Sequence, residues 1–164
     1  GAALAGIALF IIFPSAPSSL MFGATELEPG LSSATGILIE LILTFLLAFA
    51  VFAVASDKRN QTAATGLVIG MVLTMSIIVG GFSTGAALNP ARSFGPLFGS
   101  TLRELAASIP TTGIGYDLVA VASKIFANHY IYWIGPVAGA LLALLVYNKI
   151  YGDESSRAKG RRKK

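Results

Sequence analysis

Long apolar runs dominate the pattern of hydrophobic and polar positions along this chain. Three of them, over 36–55, 63–81 and 130–150, each approach the roughly 20 residues that an α-helix needs to cross a bilayer. A fourth run, over 1–13, is shorter than a span and is not preceded by the charged segment of a secretory signal. We therefore expect residues 1–13 to be the end of a membrane helix that begins upstream. The pattern predicts an all-α membrane protein with three full spans.

The amino-acid composition supports a membrane location. Hydrophobic residues make up 54% of the 164 residues and charged residues only 12%, whereas an ordinary soluble domain carries about 25% charged residues. The chain has no Cys and a single His, which excludes disulfides and thiolate ligands and argues against a histidine metal site. We expect no metal, no cofactor and no enzyme activity, because the sequence lacks a constellation of acid, base and nucleophile.

The basic residues predict the orientation of the chain. Lys and Arg outnumber Asp and Glu by 12 to 8, and six of the twelve cations lie within 157–164. A basic cluster directly after an apolar helix is typical of a cytoplasmic membrane flank rather than of a nucleic-acid site. The charged loop over 56–61 lies two spans earlier, so the positive-inside rule predicts that this loop and the tail over 151–164 are both cytoplasmic. The acidic pair Glu26 and Glu28 is then expected outside.

The segment over 82–99 fits neither a lipid-facing helix nor an ordinary surface loop, because it is rich in Gly, Pro and small polar residues. Asn89 followed by Pro90 is a strong helix start, and about two helical turns fit before Gly99. Irregular backbone at membrane depth is tolerated only where it is buried in protein or lines a water-filled cavity. The segment therefore predicts a re-entrant loop and half-helix whose positive N-terminus repels cations, while Asn89 donates hydrogen bonds to a neutral solute.

Arg92 is the second polar feature of this segment. A guanidinium in an apolar environment is costly, and such residues usually face a cavity or a partner. We interpret Arg92 as a hydrogen-bond donor at a constriction, and the alternative is an arginine that reaches the membrane interface from the end of the half-helix.

The run Asn89-Pro90-Ala91-Arg92-Ser93-Phe94-Gly95-Pro96 resembles the second Asn-Pro-Ala loop of the aquaporin, or major intrinsic protein, family. Ile39-Glu40, Thr84-Gly85 and the run Tyr132-Trp133-Ile134-Gly135-Pro136 are also similar to that family. The resemblance implies an aquaporin-like bundle of six helices and two half-helices built from an inverted repeat. It implies that this chain is the second repeat, that an N-terminal half lies upstream, and that four monomers associate in the lipid bilayer, each with its own pore.

The resemblance also implies roles for individual residues. The pore-lining residues carried over from it are Gly85, Ala86, Ala87, Asn89, Pro90 and Ala91. The selectivity ring carried over from it consists of Arg92, Ile77 and Ala86, with a fourth member in the missing half. Glu40 is expected to brace the loop by accepting hydrogen bonds from its backbone amides.

The resemblance implies a passive water channel that excludes protons and ions. Glycerol facilitators are similar, but they usually carry Asp where this chain has Ser93. Because Ile77 makes the ring wider or less polar, a facilitator of glycerol, urea, ammonia or hydrogen peroxide remains the alternative. A structural membrane protein of the same fold is the second alternative, since a fold does not determine a function.

Two further features have competing interpretations. His129 is interpreted as an interfacial residue, with a pH sensor as the alternative because its charge changes near neutrality. Residues 102–107 are predicted to form a short separate surface helix, which is interpreted as an external cap or vestibule wall, with plain loop decoration as the alternative.

Overall fold

The chain folds into α-helices joined by loops. The computed structural model describes residues 1–14, 22–56, 63–112, 123 and 126–161, of which 107–112 and 152–161 are described by backbone alone. The helices are α1 (Ala2–Ile12), α2 (Ser33–Val51), α3 (Thr65–Gly80), α4 (Pro90–Thr112) and α5 (Ile131–Arg161). α2 continues as a π-helical segment over Phe52–Ser56. Within these ranges no strand occurs, and the all-α class is confirmed.

Two helices of the described chain are long and apolar enough to cross a membrane, namely Ser33–Ser56 and Ile131–Tyr151. α3 is apolar but has only 16 residues. At 1.5 Å per residue it is about 24 Å long, against a hydrocarbon core of about 30 Å. It is therefore shorter than the span predicted over 63–81. The helix ends at Gly80, where a side chain would collide with Leu43 of α2.

The surface of α3 is suited to an apolar environment. Leu67, Met75 and Val79 are all exposed, while the hydroxyl of Thr74 donates back to the carbonyl oxygen of Gly70 at 2.8 Å. A helix in lipid needs this combination, because its polar groups must find partners within the protein. The face of α3 is therefore suited to lipid or to another apolar helix rather than to water.

α2 packs most extensively against α5, and two glycines of α5 allow the close approach. A Cβ built on Gly135 would lie 2.9 Å from the carbonyl oxygen of Ile37, and one built on Gly139 would collide with the carbonyl oxygen of Leu41. Small residues spaced four apart allow helix backbones to come together in membranes. This pair of helices forms the frame to which the loop before α4 is attached.

α4 is longer than the half-helix that the sequence predicts. We expected it to end at Gly99, but it continues to Thr112 and includes the stretch over 102–107 that was predicted as a separate helix. Gly99 serves packing rather than termination, since a Cβ there would press on the carbonyl oxygen of Gly6 in α1.

α5 is also longer than expected, because it extends through most of the basic tail to Arg161. Extending an existing helix costs much less than nucleating a new one, and the ring of Tyr151 packs on that of Tyr147 with centroids 4.9 Å apart. The last residues of the tail, 162–164, and residues 57–61 of the predicted charged loop lie outside the described residues.

Candidate functional site

Glu40 of α2 holds the loop that precedes α4. The Glu40 side chain is fully buried. Its Oε1 accepts hydrogen bonds from the Thr84 hydroxyl at 2.6 Å and from the Ala87 N–H at 2.9 Å, and its Oε2 accepts one from the Leu88 N–H at 2.8 Å. Hydrogen bonds to a charged group contribute about 1.5–3 kcal/mol each. The carboxylate thus satisfies three donors of a loop that has no helical partners for them.

The backbone of this loop is irregular. Gly85, Ala86 and Leu88 have φ angles of 77°, 44° and 53°, and the left-handed conformation costs a residue other than Gly roughly 1–2 kcal/mol. The bonds to Glu40 offset that cost. The Ala86 side chain is buried and packs with Leu43 and Leu88, so the described chain places its methyl group in the core rather than on an open surface.

Tyr132 of α5 ties the same loop from a second side. Its hydroxyl donates to the carbonyl oxygen of Thr84 at 2.9 Å, and the Thr84 hydroxyl oxygen accepts the N–H of Ala86 at 3.2 Å. In the sequence, Thr84 and Tyr132 are notable only as part of the family resemblance. Their contact requires the fold, because 48 residues separate them along the chain.

α4 begins immediately after this loop. The Asn89 Oδ1 accepts the N–H of Ala91 at 2.9 Å, and Pro90 is the first helical residue. This is the geometry of an N-cap. Because the Asn89 oxygen is used in the cap, the amide nitrogen is the end of this exposed side chain that remains to meet a solute. The positive end of the α4 dipole lies at the same place.

Arg92 lies one turn further along α4 and is also exposed. Its guanidinium Nη1 donates to the carbonyl oxygen of Gly23 at 3.1 Å. Ile77 is about half exposed, at 49%, and lies on α3. The structure thus provides an exposed arginine on α4 and an exposed apolar residue on α3.

A buried polar cluster lies directly behind Arg92. The hydroxyl oxygens of Ser93 and Thr25 are 2.6 Å apart, and the Ser93 hydroxyl oxygen is 3.4 Å from Nδ1 of His129. All three side chains are buried. This cluster could not be predicted from the sequence, because nothing in the sequence around Thr25 indicates its position.

A cavity of about 550 Å³ opens beside the cluster. Its polar lining includes Glu26, Glu28, Asn128, His129 and Tyr132. Burial lowers the pKa of His129 below its ordinary value of 6.5. The described lining includes Gly85 of the loop but neither Asn89 nor Arg92.

Comparison with known proteins finds similar sequences among the aquaporins. Aquaporin-5 of Botryotinia fuckeliana is 36% identical over 136 residues, which cover 82% of this chain and 30% of that protein. Aquaporin-4 of Mus musculus is 35% identical over 151 residues, covering 90% of this chain and 38% of that protein. Aquaporin TIP1-2 of Zea mays is 30% identical over 150 residues, which cover 90% of this chain and 50% of that protein. The chain spans half or less of the length of each of these relatives.

The profile of the family described as "Major intrinsic protein" matches residues 1–147. This match extends from α1 into α5 and includes the loop held by Glu40. The chain therefore belongs to the major intrinsic protein family.

Proposed function

We propose that this chain forms part of a passive channel for water that excludes protons and ions. One observation carries the proposal: the irregular loop before α4 is bonded to a residue in the interior of a helix long enough to span a membrane. Glu40 lies seven residues after the start of Ser33–Ser56, or about 10 Å along the helix axis. The loop bonded to Glu40 therefore lies at membrane depth, where irregular backbone requires protein burial or an aqueous passage.

The surface beside this loop has the chemistry for selecting neutral solutes. The Asn89 amide can donate to an oxygen that passes by, and the carbonyl groups of Gly85, Ala86 and Ala87 are proposed to accept hydrogen bonds along the same path. The N-terminal end of α4 and the Arg92 guanidinium are both positive, so they raise the energy of any cation or excess proton there. A water molecule carries no net charge and can exchange one hydrogen bond for another.

We further propose that the passage is closed by a preceding half of the same protein and that four copies associate in the membrane. The length of the relatives supports the preceding half, because the chain matches half or less of each. The association of four copies rests on the family resemblance. Both basic segments are proposed to be cytoplasmic, on the charge argument given above.

The second candidate function is a facilitator of glycerol or a similar small solute, and one observation favours it. Ile77 is exposed and apolar, so a ring formed with Arg92 has one side that does not compete for hydrogen bonds. Such a ring would suit the carbon backbone of a polyol, and it remains the alternative substrate class.

Stopped-flow measurement of osmotic water and glycerol permeability in liposomes containing the full-length protein tests the proposal. We expect water permeability well above that of empty liposomes and a low ratio of glycerol to water permeability. Arg92→Ala should raise this ratio, whereas Arg103→Ala should leave it unchanged. Arg103 is the matched control because it lies on the same helix and its charge pairs with Glu104 at 3.8 Å. Water permeability equal to that of empty liposomes would refute the proposed function.

A further inference from the structure

The direction in which Arg92 points depends on the backbone of another segment. The Arg92 side chain is exposed, and its described contact is with the carbonyl oxygen of Gly23 at 3.1 Å. Gly23 and the preceding Phe22 both have left-handed backbone, with φ angles of 77° and 51°. An unusual backbone such as this persists only when surrounding contacts hold it. Contacts elsewhere must therefore hold residues 22–28, which we call the clamp segment.

Among the contacts that hold the clamp segment are two hydrogen bonds that use neither Gly23 nor Arg92. The hydroxyl oxygens of Thr25 and Ser93 are 2.6 Å apart, and both side chains are almost fully buried. Further along, the N–H of Glu28 donates to the carbonyl oxygen of Ser83 at 2.8 Å. Ser93 directly follows Arg92, so the hydroxyl pair joins the clamp segment to α4 at the residue next to the arginine.

His129 lies behind the hydroxyl pair. Its Nδ1 is 3.4 Å from the Ser93 hydroxyl oxygen, and its ring is surrounded by Phe94, Phe126 and Trp133. Its Nε2 is buried and has no hydrogen-bond partner in the part of the chain that the structure describes. The contact of Nδ1 with Ser93 and the packing of the aromatic rings therefore hold the His129 ring in place. The imidazole therefore limits where the Ser93 hydroxyl can lie.

We propose that Thr25, Ser93 and His129 form a positioning unit for Arg92. The unit fixes the Gly23 carbonyl oxygen, and that oxygen holds the guanidinium in the orientation that narrows the passage. Thr25 and Ser93 are positioning residues, because they act on the solute only through Arg92. This inference rests on the proposed channel function and deepens it by assigning selectivity to residues outside the ring.

The test measures the ratio of glycerol to water permeability in liposomes that hold the full-length protein. Thr25→Val keeps the shape of the side chain and removes its hydroxyl. We expect it to raise the ratio on the order of fivefold, which is the factor that one hydrogen bond of about 1 kcal/mol corresponds to. Thr25→Ser keeps a hydroxyl and should retain the native ratio. Ser93→Ala should act like Thr25→Val, and it provides the same test where the valine variant fails to assemble.

Thr44→Val is the matched control. Thr44 is buried on α2, and its hydroxyl has no hydrogen-bond partner among the described residues. Its replacement should leave the ratio of glycerol to water permeability unchanged. That result would show that the higher ratio of Thr25→Val does not follow from the loss of just any buried threonine hydroxyl. The inference is overturned if Arg92→Ala raises the ratio while Thr25→Val and Ser93→Ala leave it at the native value. If the native protein conducts no water, or if Arg92→Ala has no effect, the proposed function itself fails.

Discussion

Gly135 of α5 lies directly against Glu40 of α2. A Cβ built on Gly135 would lie 2.6 Å from the Cβ of Glu40 and 2.9 Å from the carbonyl oxygen of Ile37. The carboxylate that holds the loop can therefore occupy its position only because the facing helix has no side chain there. The small residue in α5 and the acidic residue in α2 form one structural unit.

The Gly135→Ala variant is expected to be less stable by about 1–3 kcal/mol, because overpacking forces the two helices apart. The measurement is thermal unfolding of the purified protein in detergent. Gly70→Ala is the control, since a Cβ at Gly70 meets nothing within 4 Å. That substitution in α3 should leave stability unchanged or raise it by up to about 1 kcal/mol. Equal effects of the two substitutions would contradict the close packing described here.

Glu40→Gln is expected to disrupt the loop. The side-chain amide would direct an NH₂ group at donors of Thr84, Ala87 or Leu88, and it would remove the charge from the remaining contacts. The expected loss is about 2–3 kcal/mol of unfolding free energy, together with most of the water permeability at equal protein content.

The control for this substitution is Glu104→Gln on α4. Glu104 is about half exposed, and its ion pair with Arg103 spans 3.8 Å. An exposed pair contributes only about 0–1 kcal/mol, so stability and permeability should hardly change. Native water permeability in the Glu40→Gln variant would show that the loop does not need the carboxylate.

His129 is expected to make stability depend on pH. Its folded pKa is lowered by burial from 6.5, so the unfolded chain binds a proton more readily than the folded one. Stability should be full above pH 6.5 and should fall as the pH drops from that value toward the lower folded pKa. The carboxylates of Glu26 and Glu28 and the hydroxyl of Tyr132 line the same cavity, and burial is the cause of the lowered pKa of His129.

His129→Asn keeps a polar atom near the position of Nδ1 and removes the titration. The measurement is thermal unfolding between about pH 5 and pH 8, the range in which histidines titrate. The unfolding temperature of this variant should depend less on pH than that of the native protein. An identical pH dependence in both would assign the effect to other groups.

Much of this architecture could be predicted from the sequence. Apolar runs of span length indicate helices, and Asn89-Pro90 indicates a helix start, because both signals are local. The lengths of α4 and α5 could not be predicted. Gly99 has the appearance of a helix stop, but its small size serves a contact with Gly6 on a distant helix.

The candidate site shows the same division. Glu40 could be singled out because a carboxylate within a span requires hydrogen-bond partners. The cluster of Thr25, Ser93 and His129 could not be found, because 68 residues separate Thr25 from Ser93 and 36 separate Ser93 from His129. Hydroxyl residues also carry no periodic signal. Contacts of this kind depend on tertiary structure.

The central claim is that the N-terminal end of α4 faces a water passage and repels cations, and Asn89→Asp tests it most directly. Asp caps a helix as well as Asn does, so the helix start is retained, while the amide group that faces the passage is replaced by a negatively charged oxygen. Water flux and proton flux are measured in the same liposomes holding the full-length protein.

The native protein should conduct water without proton flux above that of empty liposomes. Asn89→Asp should raise proton flux at least about tenfold, since a unit charge about 4 Å away changes the energy of an ion by about 4 kcal/mol at an effective dielectric constant of 20. Proton flux that accompanies water flux in the native protein, or an Asn89→Asp variant with native proton flux, would contradict the account.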